Sequence, residues 1–377
     1  MRLPMNTSLA TLKPSGIRRI NALAAQHPGC IALALGEPDF PTPDVISAEV
    51  AAALDRGDTH YPPNNGRPAL REALSEYMGD AGLEFSADEV ILTDGATEAL
   101  SATFMAMLNP GDEVVVPVPA FGLYKPQIEM AGGVYVPLST EEDGFQITSE
   151  RLNAVLTERT RAILFASPNN PNGVVLNEDS LRVLKDAALS RDLYLIADSV
   201  YDRLVYDAPA PTLVGDSSLR DRLIYVSALS KSYAMTGVRV GYAAADRRIM
   251  EQMLKAHSFL VVSVPGCIQR GCEGIFAEDI SPMLSAYKRR RDDVYVRLKA
   301  MGMDVKLPDG AFYIYPSVAQ YGMDADTFCE RLMREGKLAL IPSSCFGGKD
   351  HVRISYCYDD DTLREGMDRL ERFICTL

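Results

Sequence analysis

The stretch DRLIYVSALSKSYAMTGVRVGYAAAD, residues 221–246, places a basic and hydroxyl-rich segment between two apolar runs. The runs RLIYVSAL and VRVGYAAAD are each typical of a buried strand. Lys231 comes shortly after the first run, and Arg239 is the second residue of the second run. A lysine flanked by hydroxyl groups at a strand end suits Schiff-base chemistry, and an arginine fork suits a phosphate. A solvated surface lysine is the competing interpretation of Lys231 alone.

Five further apolar runs precede this stretch and alternate with helix-like segments. They are EVILTDG, DEVVVPVP, GGVYVPL, TRAILFASP and DLYLIADS. Continuous apolar strands that alternate with amphipathic helices are typical of a mostly parallel sheet covered on both faces. The pattern therefore predicts an α/β fold with a mostly parallel seven-stranded sheet in a large domain, residues 46–275.

The chain outside this region has a different pattern. A long charged helix is predicted in YKRRRDDVYVRLKAMG, strands in GAFYIYPSV and HVRISYCYDD, and an amphipathic helix at the end of the chain. We therefore predict a smaller α+β domain over residues 276–377. Residues 1–45 contain many proline and turn residues and are predicted to form an N-terminal arm and part of this smaller domain.

The composition disfavours several classes of binding partner. The net charge of -13 disfavours nucleic acid and anionic membranes. The seven cysteines form no CxxC pair, so they are expected to be reduced thiols rather than a disulfide or metal framework. The sequence has no signal-peptide pattern and no apolar run long enough to span a membrane. A cytoplasmic enzyme without a metal is the expectation.

Polar residues follow several of the predicted strands, where open α/β sheets place their active sites. The turn Gly95-Ala96-Thr97 opens a helix, whose first N–H groups favour a phosphate, although such turns are often plain connections. Asn170 lies in the turn SPNNPNG and is able to donate to an oxygen. Asp198 ends an apolar strand, where it is either a helix cap or a carboxylate matched to a cation.

The order and spacing of these residues resemble the class I/II aminotransferases of the aspartate aminotransferase superfamily, which depend on pyridoxal 5′-phosphate (PLP) and share the PLP-dependent transferase fold. SPNNPNG looks like the family pattern NPxNPTG, and ADSVYDRL looks like DExYxxL. The match of SALSKSYAMTGVRVGY to SxSKxxxxxGxRxGY is the most specific. The resemblance runs from about residue 15 to the end of the chain.

The resemblance implies roles in holding the cofactor. Lys231 would form the Schiff base with PLP and then move the proton from the substrate Cα. Asp198 would keep the pyridine nitrogen protonated so that the ring acts as an electron sink. Asn170 and Tyr201 would bond the ring's 3-oxygen, and Phe121 would stack on the ring. The residues implied to hold the phosphate are Gly95, Ala96, Thr97, Ser230 and Arg239.

The resemblance also implies how the substrate and a second subunit take part. Arg353 in HVRISY matches the arginine that binds the substrate α-carboxylate, with Gly36 and Asn170 beside it. Tyr61 matches a tyrosine that reaches the phosphate of the neighbouring subunit, which implies a homodimer with shared active sites.

Three positions depart from the family pattern. Ala228 stands where several relatives have a phosphate-binding serine, and Ser227 or Ser230 are the candidates to replace it. Ser199 stands where a glutamate is usual, and PSSCFG replaces the usual PGxxFG turn. These departures put a standard substrate in doubt.

Transamination between an L-amino acid and a 2-oxo acid is the predicted reaction, since one base near Cα suffices for the proton shift. A carbon–sulfur β-lyase, or another elimination or oxidase enzyme of the same fold, is the alternative, because fold does not determine reaction. A transcription regulator built on this fold is disfavoured by the net charge. The amino donor stays open, with Arg18 and Arg19 as candidates for a second anion-binding group.

Overall fold

The computed structural model describes residues 9–10, 12 and 14–377. Part of the predicted arm, residues 1–8, 11 and 13, lies outside the described residues. The described arm contains a helix, α1 (Gly16–Ala25), and a short strand, β1 (Ile31–Ala32). The side chain of Ser15 caps α1 by accepting from the Arg18 N–H. The sequence analysis missed this helix because the proline and turn residues around it dominated the pattern.

Seven strands form one sheet, as predicted from the seven apolar runs. Their order is β2-β8-β7-β6-β5-β3-β4. Only β8 runs antiparallel to its neighbours, β2 and β7. The prediction of a mostly parallel sheet in an α/β fold is confirmed. The strands are β2 (Val90–Thr93), β3 (Glu113–Val118), β4 (Val134–Ser139), β5 (Thr160–Ala166), β6 (Tyr194–Asp198), β7 (Leu223–Ala228) and β8 (Gly241–Ala244).

Helices connect these strands and cover both faces of the sheet. Polar caps define several of their ends: Asn177 accepts from the Ser180 N–H, and Asp246 accepts from the Arg248 N–H, each cap contributing about 1 kcal/mol. The helices are α2 (Asp44–Asp55), α3 (Pro68–Asp80), α4 (Gly95–Met107), α5 (Tyr124–Met130), α6 (Ser149–Val155), α7 (Glu178–Arg191), α8 (Leu229–Ser232), α9 (Arg247–Leu260) and α10 (Gly266–Cys272).

The remaining elements follow the large sheet in the chain. They are α11 (Ser281–Ala300), β9 (Tyr313–Ile314), α12 (Ala325–Arg331), β10 (Leu338–Ala339), β11 (Ile341–Pro342), β12 (Val352–Ser355) and α13 (Asp360–Ile374). Strands β11, β12 and β9 form an antiparallel sheet, and β1 of the arm pairs with β10. Strand β9 is shorter than predicted because Pro316, which has no N–H, follows soon after it.

Buried apolar side chains form separate clusters that match this arrangement. Along β6, Leu195 and Ala197 pack into one cluster while Ile196 packs into another, so both faces of the sheet are covered. A third cluster lies among the C-terminal elements and includes Leu33 of the arm and Phe312. Within the described residues, no helix has the length and apolar character needed to cross a membrane.

Candidate active site

One edge of the sheet collects most of the predicted site residues. Parallel strands end at the same edge, so the turns after β2, β5, β6 and β7 lie together there. Strand β8 runs in the opposite direction, and its pairing of Gly241 with Thr93 and with Ala228 brings the start of β8 to this edge. Arg239 precedes β8 and therefore meets residues from the other turns.

Arg239 contacts the first turn of α4. Its guanidinium donates to the Asp94 carbonyl at 3.1 Å and to the Thr236 carbonyl at 2.9 Å. Gly95 adopts a φ of 72°, and a Cβ there would collide with this guanidinium. Arg239 itself has a φ of 63°, a strained conformation that clusters at functional sites. Glycine at position 95 is therefore required for the close approach of Arg239 to the helix N-terminus.

Ser230 supplies an available hydroxyl next to this turn. Its Oγ is buried and has no hydrogen-bond partner among the described residues. Ser227, the other candidate to replace the missing serine, already donates to the Ser199 carbonyl at 3.1 Å. An unpartnered buried hydroxyl is costly, so Ser230 is the residue free to bind an anion beside α4. Ala96 is half-buried, whereas Thr97 is exposed at this turn.

Asp198 lies buried at the end of β6. Its Oδ2 accepts from the Tyr124 hydroxyl at 2.5 Å, and its Oδ1 accepts from the Val200 N–H at 3.2 Å. Burial raises the pKa of this carboxyl, and the two hydrogen bonds oppose the rise. A carboxylate so placed is stabilised when a cation binds next to it.

Lys231 follows β7 and is partly buried. Its Nζ donates to the Gly36 carbonyl at 2.6 Å, which joins the arm to the sheet edge. The pKa of the amine is lowered to about 8, mainly by loss of solvent and in part by the nearby positive charge of Arg353. A larger fraction of this amine is therefore neutral near pH 8 than of an ordinary lysine.

Arg353 of β12 is almost fully buried, with 1% of its surface exposed. Its guanidinium donates to Asn170 Oδ1 at 2.8 Å and to the Ala34 carbonyl. The rings of Tyr313 and Phe346 lie 4.4 Å and 4.9 Å from the guanidinium carbon. Its Nε has no partner, and no ion pair to it occurs within the described part of the chain. A buried guanidinium without a carboxylate favours a bound anion.

Tyr201 lies between these groups. Its hydroxyl and that of Tyr313 are 2.8 Å apart, and burial raises the pKa of both phenols. A Cβ at Gly36 would collide with the Tyr313 hydroxyl, so only glycine allows this ring to reach Tyr201. The structure thus brings together Tyr201, Gly36, Asn170 and Arg353.

Two of the predicted site residues, Phe121 and Tyr61, lie further from the centre of the site than the others. Phe121 is half-buried and packs edge-on against Tyr124, with ring centroids 5.7 Å apart. Tyr61 is 86% exposed and faces solvent in the single chain. Its loop is tied to the end of α9, because the Asn64 side chain donates to the Val262 carbonyl at 2.9 Å.

Sequence reasoning missed three residues that shape this site. Tyr124 binds Asp198, Tyr313 binds Tyr201, and Phe346 covers Arg353. Tyr313 and Phe346 lay inside segments already quoted, GAFYIYPSV and PSSCFG, and Tyr124 lies shortly after Phe121. The contacts of Tyr124 and Tyr313 join elements far apart in the chain, whereas Phe346 lies in the turn shortly before the strand of Arg353. Aromatic content near a matching motif was the available signal for all three.

Comparison with known proteins gives consistent matches over nearly the whole chain. The pattern of the family "Aminotransferase class I and II" matches residues 28–370. A probable N-acetyl-LL-diaminopimelate aminotransferase of Bacillus subtilis is 38% identical over 98% of this chain and 95% of its own length. An aspartate aminotransferase of Pyrococcus abyssi is 36% identical over 99% of this chain and 98% of its own.

Solved structures agree with these matches. An aspartate aminotransferase of Thermotoga maritima has a TM-score of 0.94 at 35% identity, covering 98% of this chain and 100% of that one. An aromatic aminotransferase of Pyrococcus horikoshii has a TM-score of 0.90 at 36% identity, covering 95% and 99%.

The fold places a lysine amine and Arg239 at one sheet edge, with Arg353 of β12 in contact with Asn170 at that edge, an arrangement typical of an α/β enzyme for small charged substrates. The chain belongs to the aminotransferase class I and II family, and it is an aminotransferase. The predicted family, fold and enzyme class are confirmed. The relatives reported above are all aminotransferases, and none of them supports the β-lyase alternative.

Proposed function

We propose that this aminotransferase uses PLP bound at Lys231 to move an amino group from an L-amino acid to a 2-oxo acid. The observation that carries the proposal is the Lys231 amine, whose pKa is lowered to about 8. It lies at the sheet edge shared with the Arg239 turn and close enough to Arg353 for the two charges to interact.

The residues at this edge fit PLP. The unpartnered Ser230 hydroxyl, the Arg239 guanidinium and the start of α4 at Gly95 suit a phosphate. Asp198 suits a protonated ring nitrogen because its buried carboxylate lacks a cationic partner. The remaining residues assigned to the cofactor are Ala96, Thr97, Phe121, Asn170 and Tyr201.

When bound, PLP supplies an aldehyde that condenses with amines and a ring that accepts the electrons of the substrate Cα–H bond. The chain's own residues bind the substrate and hold or move the protons. Lys231 Nζ takes the proton from the substrate Cα, and Asp198 holds a proton on the ring nitrogen. Arg353 binds the α-carboxylate, with Asn170 and Gly36 beside it. Tyr201 donates to the ring's 3-oxygen and is oriented by Tyr313.

We also propose a homodimer in which Tyr61 reaches the phosphate of the neighbouring subunit. Next to its loop, the end of α9 exposes Phe259 by 90%, Val262 by 45% and Leu260 by 43%. The segments that carry these side chains and Tyr61 are joined by the Asn64–Val262 hydrogen bond, and exposed apolar surface of this kind favours a protein interface. A second copy of the chain is the occupant that also accounts for an exposed tyrosine on the loop.

Phe259→Glu is expected to weaken the dimer at least 100-fold, roughly, because two buried aromatic side chains are lost and two charges enter the interface. Light scattering would then show a 41.2 kDa species at concentrations where the wild type has twice that mass. Val296→Glu, a change at a 64% exposed position on α11, is the matched control and should stay dimeric. A monomeric wild type would contradict the proposal.

We also propose that the chain folds into the two domains predicted from its sequence. The separate buried clusters support a large PLP-binding domain over 46–275 and a small domain over 276–377. The pairing of β1 with β10 supports the inclusion of part of residues 1–45 in the small domain.

All seven cysteines are free thiols, which supports a reducing location such as the cytoplasm.

Dicarboxylic amino acids are the donors to test first. The relatives reported above include aspartate aminotransferases. Burial raises the pKa of the Cys345 thiol, and the charges of Arg19 on α1 and of Arg353 both oppose this rise, so both arginines lie within reach of Cys345. Arg19 is therefore the candidate for a distal carboxylate. Both Arg18 and Arg19 are exposed, and the backbone N–H of Arg18 donates to the Ser15 hydroxyl oxygen.

The proposed function is tested by adding single L-amino acids to the PLP-loaded enzyme without an oxo acid. The visible band of bound PLP should disappear as the matching 2-oxo acid forms, and an added 2-oxo acid should restore the band. Accumulation of pyruvate and ammonia with a persistent band would instead indicate a lyase and overturn the proposal.

PLP uptake by the apoenzyme is expected to depend on pH. The neutral amine of Lys231 is the reactive form, and its pKa is about 8. The uptake rate should therefore rise between pH 6 and 8, roughly tenfold per unit well below the pKa, and level off above it. Stopped-flow absorbance measures this rate. A rate that keeps rising to pH 10, roughly where an ordinary lysine titrates, would show that the amine is not perturbed.

A further inference from the structure

His257 is a buried histidine that the proposed reaction does not use. It lies on α9, with 0% of its surface exposed. Its Nδ1 lies 3.1 Å and 3.2 Å from the two carboxylate oxygens of Glu98 on α4. Its Nε2 lies 2.8 Å from the Asn64 carbonyl. Both ring nitrogens therefore face oxygen atoms.

These contacts determine how many protons the cluster holds. A carbonyl oxygen only accepts, so Nε2 carries a hydrogen and donates to Asn64. A second proton must then lie between Nδ1 and the Glu98 carboxyl, since otherwise two lone pairs would face each other in a buried place. The His257–Glu98 pair is thus neutral overall, either as an imidazolium with a carboxylate or as an imidazole with a carboxylic acid.

The pair connects two parts of the molecule that the proposed function uses. Glu98 Oε2 accepts from the backbone N–H of Asp94 at 3.0 Å. Asp94 directly precedes Gly95 at the start of α4. Asn64 belongs to the loop of Tyr61, and this loop is also held by the Arg67 N–H, which donates to Gln269 Oε1 at 2.6 Å. The buried His257–Glu98 pair therefore links the turn at Gly95 to the loop that carries Tyr61.

We propose that His257 is a positioning residue which, through its proton-sharing pair with Glu98, orients the start of α4 and the Tyr61 loop for PLP phosphate binding. This role rests on the proposed function. It differs from simple core packing in one respect: its loss should weaken binding of the cofactor's phosphate more than it weakens the fold.

The shared proton is tested first in the wild type, by nitrogen NMR of protein labelled in its four histidines. One histidine should carry hydrogen on Nε2 and share a proton at Nδ1, and His257→Gln should remove its signals. Glu98→Gln should convert this ring to a neutral imidazole whose Nδ1 accepts. A His257 ring that has a bare, unbonded Nδ1 in the wild type would overturn the proposal.

The positioning role is tested by comparing PLP with pyridoxal, which lacks the phosphate. His257→Gln and Glu98→Ala should each weaken PLP binding by the apoenzyme about tenfold, since each leaves a buried partner unsatisfied. Pyridoxal binding should stay within about threefold of the wild type, a change too small to represent a lost charged hydrogen bond. Glu98→Gln should restore PLP affinity, because the amide still accepts from Asp94 and donates to Nδ1.

His27→Gln, a partly exposed histidine on the arm, is the matched control and should change neither affinity. Equal losses for PLP and pyridoxal in His257→Gln, or no loss for either, would overturn the positioning role. If the wild-type apoenzyme does not bind PLP, the proposed function fails and the role fails with it. If the wild type binds PLP while His257→Gln binds it equally well, the positioning role alone fails.

Discussion

Lys231→Ala is expected to lower the rate of amino transfer at least 10³-fold, roughly the contribution of a positioned acid–base group together with the covalent attachment of the cofactor. The Lys231 amine is the base assigned to the substrate Cα, and it is held at the sheet edge by the Gly36 carbonyl. PLP should still bind to the variant, because the lysine does not hold the residues assigned to the phosphate, Ser230 and Arg239, or Asp198 in place. The expected result is a cofactor-loaded but inactive enzyme.

Single-turnover mixing with an amino acid measures this loss directly. Borohydride reduction of the wild type, followed by peptide mass analysis, should find PLP attached to the peptide containing Lys231 and none attached in Lys231→Ala. Lys125→Ala is the matched control, since Lys125 is exposed on α5, where it makes a 3.9 Å ion pair with Glu129 and lies 6.0 Å from the centre of the Tyr135 ring. Labelling of a lysine other than Lys231 would refute the assignment.

Arg353→Lys is expected to reduce kcat/KM by about 10²- to 10³-fold, mainly through KM. Lysine keeps the charge but loses the planar fork that matches a carboxylate, a loss of about 3–4 kcal/mol if two charged hydrogen bonds disappear. The Asn170 side chain and the rings of Tyr313 and Phe346 are arranged around a guanidinium. An ammonium group cannot satisfy all of these contacts.

The measurement compares an amino acid with the corresponding amine that lacks the α-carboxylate. In the wild type the amine should react far more slowly, whereas in Arg353→Lys the two rates should approach each other. Arg289→Lys, which alters a 58% exposed arginine paired with Asp360, is the control and should behave like the wild type. An undiminished preference for the carboxylate in Arg353→Lys would show that another group binds it.

Much of the fold was predictable because its signal is local. The seven apolar runs became the seven strands of the large sheet, since a strand buried on both faces must be apolar at consecutive positions. The small antiparallel sheet was harder to predict. Strands β9 and β11 are each two residues long, and pairing with distant residues, rather than local pattern, stabilises them.

The candidate site shows the same division. Lys231, Asp198 and Asn170 were identified because each follows an apolar strand, and strand ends meet at one edge of a parallel sheet. Tyr124 and Tyr313 were missed because their partners, Asp198 and Tyr201, lie 74 and 112 residues away in the chain. His257 was missed for the same reason, since α9 carries no motif and meets Glu98 only through helix packing.

The sequence by itself determined the family, the α/β class and the set of strand-end residues, because these depend on composition and order along the chain. Only the tertiary structure decided which of these residues have free hydrogen-bonding capacity. Ser230 rather than Ser227 is available to an anion because Ser227 already binds the Ser199 carbonyl. Hydrogen-bond partners and loss of solvent arise from contacts between distant segments, so they exist only once the chain has folded.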